Sequence, residues 1–282
     1  MRKILLTGAG GLVGSHLLPL INEEHEVITI SSKKNSNNNI QIDFSKEWDT
    51  DLLPKDLDTI IHLAQSKDFR DFPNKAVDVF NVNTMSTLKL IDFAYKTGVK
   101  TFIFASSAGI YGNSDVEFDE STDIIYKSEM GFYLGTKQCS EIILDNYSSL
   151  IQVIQLRLFF VYGKGQRKDM LIPRLVDNIQ NGIHLHLQGA SGITINPTHV
   201  SDAVKAIKAS LDLSGSHKIN IAGPELLTMK EIVEVIGNLI QKQPQFILEE
   251  KEAKNLIGSI TNMSEKLVKP QVKFKEGIKD FI

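Results

Sequence analysis

The sequence predicts an α/β protein, a doubly wound parallel sheet with a smaller C-terminal α/β domain. Three observations predict it. Through the first half, short β-branched runs alternate with helical patterns, the order that yields parallel strands joined by right-handed crossovers. Three evenly spaced glycines stand between the first strand and the first helix. After about residue 163 the alternation gives way to longer amphipathic helices.

The elements follow in order. "KILLTG" is a buried strand and "LVGSHLLPLINEE" a helix; "EVITIS", "TIIHLA" and "TFIFASS" are further strands. "NTMSTLKLIDFAYKTG" has helical periodicity and closes on Gly98, a residue that tolerates the left-handed turn ending a helix. "IQVIQLRLFF" is another strand, reached through a helix carrying "FYLGTKQ". Beyond it, "MLIPRLVDNIQNG", "SDAVKAIKASLD" and "TMKEIVEVIGNLIQK" are amphipathic helices, "HKINIAG" a strand, and "EGIKDFI" a short terminal helix. We therefore expect one domain over 1–163, re-entered near 196–222, and a second formed mainly by 164–282.

Composition bounds the possibilities. The chain has 282 residues, 42% hydrophobic and 23% charged, enough apolar material for a real core. Its net charge of −3 gives no general attraction to nucleic acid or to an anionic membrane surface, so neither is an expected partner. No apolar run approaches the ~20 residues needed to cross a bilayer. The start, "MRKILLTGAGG", has a basic and an apolar stretch but then glycines, and a first strand explains it better than a signal peptide. The single cysteine, Cys139, excludes an internal disulfide and argues against a cysteine metal site; it reads as a small helix or core residue, and no metal is expected. These features point to the cytoplasm.

Gly8, Gly11 and Gly14 form a G-x-x-G-x-x-G pattern directly after the first strand, followed by Leu12 and Val13 at the start of a helix. Glycine permits the tight turn and close backbone approach, while a helix N-terminus offers amides and a positive dipole to a pyrophosphate. Dinucleotide binding is the expectation. The second strand ends in Ser31, Ser32, Lys33 and Lys34, with no carboxylate to hold a ribose 2′-hydroxyl. Hydroxyls and lysines suit a 2′-phosphate, which favours NADP over NAD.

The motifs TGAGGLVG, HLA (62–64), SSAGIYG (106–112), YLGTK (133–137) and LRLFFVYG (156–163) occur in this order. Together they resemble the extended short-chain dehydrogenase/reductases, the NAD-dependent epimerase/dehydratase group, over essentially the whole chain. "INPTHVSDAV" and "INIAGPELLTMKEI" match its later segments. The resemblance implies a Rossmann-type cofactor domain, a C-terminal substrate domain and a homodimer, with the helices containing 84–97 and 131–147 as candidates for the interface.

It also implies a catalytic trio: Tyr133 as acid/base, Lys137 as its electrostatic partner and ribose ligand, and Ser107 as the hydroxyl that holds the substrate oxygen. The chemistry is consistent. A phenol titrates at ~10, and a lysine ammonium one helical turn away would stabilise the phenolate and lower that value. Asp43, with Phe44 beside it, resembles the acidic position that contacts adenine; Leu63, Ala64 and Gln65 would line the cofactor; Asn83 matches a structural asparagine. His62 lies in a buried strand pattern and reads as core.

Ala108 and Gly109 stand where the dehydrating members carry an Asp-Glu pair, and neither can transfer a proton, so 4,6-dehydration is disfavoured. What remains is ketone reduction, alcohol oxidation or epimerisation through a ketone, on a small-molecule substrate best read as a nucleotide-activated sugar. Two departures bear on the substrate. Phe160 replaces an expected asparagine, and Ile195 occupies the place of a diphosphate-binding arginine; with Ser107 and Ala108 they form the expected substrate contacts. Arg157, Arg167, Lys168 and Arg174 are alternative cations, and His199 a further candidate. Two rival readings are a ketoreductase for a smaller, non-nucleotide substrate and a non-catalytic dinucleotide-binding regulatory protein.

Overall fold

The structure, a computed structural model, describes residues 1–33, 38–124 and 128–282; Lys34 lies outside them. The strands of the first half are β1 (Lys3–Thr7), β2 (Glu26–Ser31), β3 (Asn39–Gln41), β4 (Thr59–His62), β5 (Thr101–Ser107) and β6 (Gln152–Leu158). Its helices are α1 (Leu12–Asn22), α2 (Ala76–Phe80), α3 (Ser86–Thr97) and α4 (Gly131–Tyr147). A π-helical turn, Asn81–Met85, joins α2 to α3. The helix read from residue 83 thus begins earlier, because α2 is short and its Val77 is exposed, which blurs the apolar period.

The second half contributes β7 (Val161–Tyr162), α5 (Leu171–Gln180), β8 (Leu185–Gln188), β9 (Thr194–Ile195), β10 (Thr198–His199) and α6 (Val200–Ser210). It closes with β11 (His217–Ile221), β12 (Leu227–Thr228), α7 (Met229–Ile240), β13 (Phe246–Glu249), α8 (Thr261–Lys266) and α9 (Phe274–Gly277).

Two compact units result, one of residues 1–110, 124–157 and 207–219, the other of 111–123, 158–206 and 220–282. The central sheet has seven strands in the order β11-β6-β5-β4-β1-β2-β3. β1 pairs in parallel with both β2 and β4, β2 with β3, and β4 with β5. The chain therefore runs outward from β1 in one direction and then returns to its other side. That reversal opens a crevice at the carboxyl ends of β1 and β4, where ligands of such sheets bind.

In the first unit Leu5, Ile60, Phe102 and Phe104 meet Leu90, Ile91 and Ala94 of α3 in one buried cluster. Strands covered on both faces need near-continuous apolar runs, which is how "KILLT" and "TFIFA" read. Each such side chain contributes roughly 1.5–3 kcal/mol when fully buried. Gly98 ends α3 at φ +78°.

The second unit has its own core, in which Leu175, Val176 and Ile179 of α5 pack with Ile232, Val233 and Ile236 of α7. α7 starts where it does because Thr228 and Glu231 form a reciprocal capping box. β8 and β13 pair in parallel beside these helices.

Candidate active site

The crevice begins with the glycine turn. Gly8 follows β1 at φ +74°, and the N–H of Gly11 donates to its carbonyl at 2.9 Å. A Cβ on Gly14 would stand 2.2 Å from that same oxygen, and one on Gly8 2.7 Å from the Leu63 carbonyl carbon. Glycine is therefore required at both, whereas a side chain at Gly10 would meet nothing within 4 Å. α1 begins immediately at Leu12 and Val13, with Gly11 as its extended N-cap. Bare backbone amides at the start of an eleven-residue helix fit a pyrophosphate.

Behind the turn lies a buried relay of neutral groups. Thr7 Oγ1 is 2.7 Å from His62 Nδ1 and accepts from the Ala64 N–H at 3.1 Å. On the other side of the ring, His62 Nε2 lies 3.1 Å from Thr87 Oγ1 and 3.2 Å from Ser86 Oγ. Those two hydroxyls already donate to the carbonyls of Asn83 and Val82. The imidazole thus carries its proton on Nε2 and accepts from Thr7. Burial, reinforced by Lys137, pushes its pKa down to about 3. His62 holds the crevice wall as a neutral ring, in keeping with its reading as core.

The trio meets at the carboxyl end of β5. Ser107 ends that strand, and Tyr133 and Lys137 lie one turn apart on α4. Lys137 is 2% exposed, its Nζ donating to the Ala105 carbonyl at 2.8 Å and standing 4.8 Å from the Phe104 ring centroid. Burial pulls its pKa down to about 8, opposed by Glu141. Tyr133 is half-buried; burial raises its phenol to about 12, and a hydrogen bond with Ser107 works in the opposite direction. The expected lowering by Lys137 is not what acts on the phenol here, because the ammonium is turned to the strand carbonyl. Tyr133 Oη donates instead to Gln65 Oε1 at 2.9 Å.

The π-helical turn fixes α4 against this edge. Asn83 accepts from the Ser66 N–H at 2.9 Å and donates to Thr136 Oγ1 at 3.0 Å. Thr84 Oγ1 donates to the Thr136 carbonyl, and Ser140 Oγ to the Asn83 carbonyl. A widened turn exposes backbone and side-chain groups that a regular helix would keep to itself. Farther along α4, Glu141 receives both Nε and Nη2 of Arg157, at 3.1 and 2.7 Å, in a buried ion pair. Tyr133, Lys137 and Glu141 follow one another at intervals of four, a ladder visible in the sequence.

Other expected positions are placed as follows. Leu63 and Ala64 line the wall beside Gly8, and Gln65 is exposed next to them. Asp43 is exposed and accepts from the N–H and hydroxyl of Ser45, which lower its pKa. Phe44 has its ring in the core against Trp48 and His62, leaving only its backbone for a ligand. Ala108 is 1% exposed, its methyl turned inward by a 3₁₀ turn, so it offers no side-chain contact to substrate. A Cβ on Gly109 would fall 2.8 Å from Leu134 Cδ2, the movable end of a flexible side chain. Cys139 is exposed on α4, outside the core.

In the second unit Phe160 sits at φ +40°, a region that strains any residue with a side chain and suits asparagine better. Ile195 is fully buried, on β9 and within the unit's core. With its side chain packed in that core it offers no surface to a diphosphate. Arg157 is spent on Glu141, and Arg167 on Asp169 at 2.8 Å. Lys168 and Arg174 are exposed. His199 is held by Ser201 and Asp280 and packs on Tyr162, which makes it a brace for the C-terminal segment.

Residues 4–222 match the model of the NAD dependent epimerase/dehydratase family. The Uncharacterized UDP-glucose epimerase YtcB of Bacillus subtilis is 29% identical over 98% of this chain and 95% of its own. MoeE5, solved in complex with UDP-glucuronic acid and NAD, superposes with a TM-score of 0.84 at 25% identity over 99% of this chain and 97% of its own. A UDP-Glucuronic acid 4-epimerase from Bacillus cereus, solved in complex with NAD, gives 0.83 at 25% over 99% and 96%.

These NAD complexes overturn the expectation of NADP. The end of β2 supplies the physical reason. The Ser31 hydroxyl donates to the Lys33 carbonyl and receives Asn39 Nδ2 at 3.0 Å, while Gln41 binds the Ser32 carbonyl. The hydroxyl is used within the turn, and Lys33 is an exposed loop residue. Among the described residues no helix is long and apolar enough to cross a membrane.

Proposed function

The chain belongs to the NAD dependent epimerase/dehydratase family, and from that premise we propose that it oxidises and re-reduces a carbinol carbon of a nucleotide-activated sugar. The observation that carries the reading is the meeting of Ser107, Tyr133 and Lys137 at the carboxyl end of β5. NAD would lie on Gly8, Gly11 and Gly14 with Leu63 and Ala64 beside it, and when bound it accepts and returns the hydride. Ser107 holds the substrate oxygen by hydrogen bonding. Tyr133 acts as phenolate, its own proton having first gone to solvent; it takes the hydroxyl proton as the ketone forms and gives it back on re-reduction. Lys137, turned to the Ala105 carbonyl in the protein alone, would donate to the cofactor ribose and bring its charge toward the phenol once NAD is bound. Ala108 and Gly109 carry no group that can transfer a proton, so these two positions do not supply the extra acid/base groups that dehydration needs.

Relatives that bind UDP-sugars support the substrate class. Ile195 in the core and Arg157 in its ion pair favour a second reading, a smaller carbonyl substrate without a diphosphate. We further propose a homodimer formed through α3 and α4, which carry the exposed Leu88, Tyr95 and Ile142. The setting would be carbohydrate biosynthesis in the cytoplasm, where NAD and nucleotide sugars meet.

The test is a screen of UDP-sugars, dTDP-sugars and small ketones by nicotinamide absorbance with product analysis, run beside Tyr133→Phe. Conversion of a nucleotide sugar that falls about 10²–10⁴-fold in the variant, with NAD affinity retained, is the expected result. Turnover unaffected by the variant would remove Tyr133 from the mechanism, and turnover of small ketones alone would select the second reading.

A further inference from the structure

Gln65 stands between the cofactor wall and the phenol. The residue before it, Ala64, is pinned by its N–H on Thr7 Oγ1 at 3.1 Å. The residue after it, Ser66, is pinned by its N–H on Asn83 Oδ1 at 2.9 Å. With both neighbours fixed, the exposed side chain reaches the phenol, and Tyr133 Oη donates to Oε1 at 2.9 Å. The loop beyond it is clamped onto the start of α4: the Phe69 and Tyr133 ring centroids are 5.0 Å apart, and Phe72 stacks on Phe132 at 5.0 Å.

We propose that Gln65 is a positioning residue for Tyr133, which fixes the direction in which the phenol holds its proton and resists its release. The proposal rests on the catalytic reading of Tyr133 given above. A carboxamide oxygen can only accept, so it favours the phenol over the phenolate, which could only accept as well. Ser107 acts in the opposite sense. To follow the phenol into its ionised state the amide must turn over and present its NH₂ group, a rotation open to glutamine and closed to glutamate or leucine. The other groups facing the phenol are Phe69, with the Arg70 guanidinium 4.8 Å from its ring on that loop, and Lys137 on α4, whose Nζ is held by Ala105. Following HLA, Gln65 is expected against the cofactor, yet its hydrogen-bond partner is 68 residues away.

The experiment follows the Tyr133 ring carbon by NMR in protein labelled with ¹³C-tyrosine, with and without NAD, the resonance being assigned by its loss in Tyr133→Phe. We expect the titration midpoint in Gln65→Leu to fall about one pH unit below wild type, and that in Gln65→Glu to rise above it. The alkaline limb of the turnover profile should move with each midpoint. A common midpoint in all three proteins, or no ionisation in any of them over the range where they stay folded, overturns the proposal. So does a Gln65→Leu enzyme slowed equally at every pH with its limb unmoved. Absence of turnover on every sugar in wild type would count against the catalytic reading alone, and the NMR midpoints would still decide the role of Gln65.

Discussion

Lys137 Nζ donates to the carbonyl oxygen of Ala105 at 2.8 Å, two residues before Ser107 on the same strand. The bond ties α4 to the end of β5 through the side chain that also carries the charge of the site. A buried ammonium with one strong acceptor is held in place but weakly compensated, which is why its pKa drops to about 8. The same geometry keeps the charge from reaching Tyr133 in the protein alone.

The glycine turn makes unequal demands at neighbouring positions. Gly14→Ala puts a methyl 2.2 Å from the Gly8 carbonyl and should weaken NAD binding at least about tenfold, or ~1.4 kcal/mol. Gly10→Ala, with open space around it, should bind NAD as wild type does. Calorimetric titration of both variants checks the contrast.

His62 predicts acid sensitivity. Its pKa is 6.5 in the unfolded chain and about 3 in the folded one, so on acidification the unfolded state takes up the proton first. Stability is therefore complete above pH 6.5 and declines as pH falls from there toward 3, by up to about 1.4 kcal/mol per pH unit. Urea unfolding at about pH 7 and about pH 5 should show this fall in wild type. His62→Gln should be less stable at the higher pH, because the Thr7 bond is disturbed, yet lose less on acidification.

The Arg157–Glu141 pair is nearly inaccessible on both sides. Glu141→Gln leaves a buried guanidinium without its counter-charge and should cost about 3–5 kcal/mol. Replacing both, as Arg157→Met with Glu141→Leu, should recover most of that loss. Because Glu141 also raises Lys137, Glu141→Gln should lower the lysine pKa further, readable by NMR of the ammonium.

Lys33 lies on the turn after β2 with its side chain exposed. Lys33→Ala should leave NAD affinity within about twofold of wild type, since an exposed charge contributes little. Fluorescence titration with NAD checks it, and a large loss would return the loop to the binding site.

Alternating β-branched and helical segments, the glycines at 8 and 14, and the four-residue spacing of Tyr133 and Lys137 are local patterns legible in the sequence, whereas Glu141, at the same spacing again, takes its part only through its buried partner Arg157. Backbone sterics and helical spacing act over a few residues, so such patterns survive in one dimension. They determined the α/β class, the strand–glycine–helix turn and the placing of Tyr133 and Lys137 one turn apart on a helix. Tertiary structure decided where each group's hydrogen bonds go. It sent Ile195 into a core, locked Arg157 on Glu141, seated Thr136 on Asn83 and brought Gln65 to Tyr133. None of those pairings has a period, because each depends on which strands lie side by side and which helix face they receive. Burial and partner choice are consequences of the sheet order, and they set the pKa values from which the chemistry proceeds.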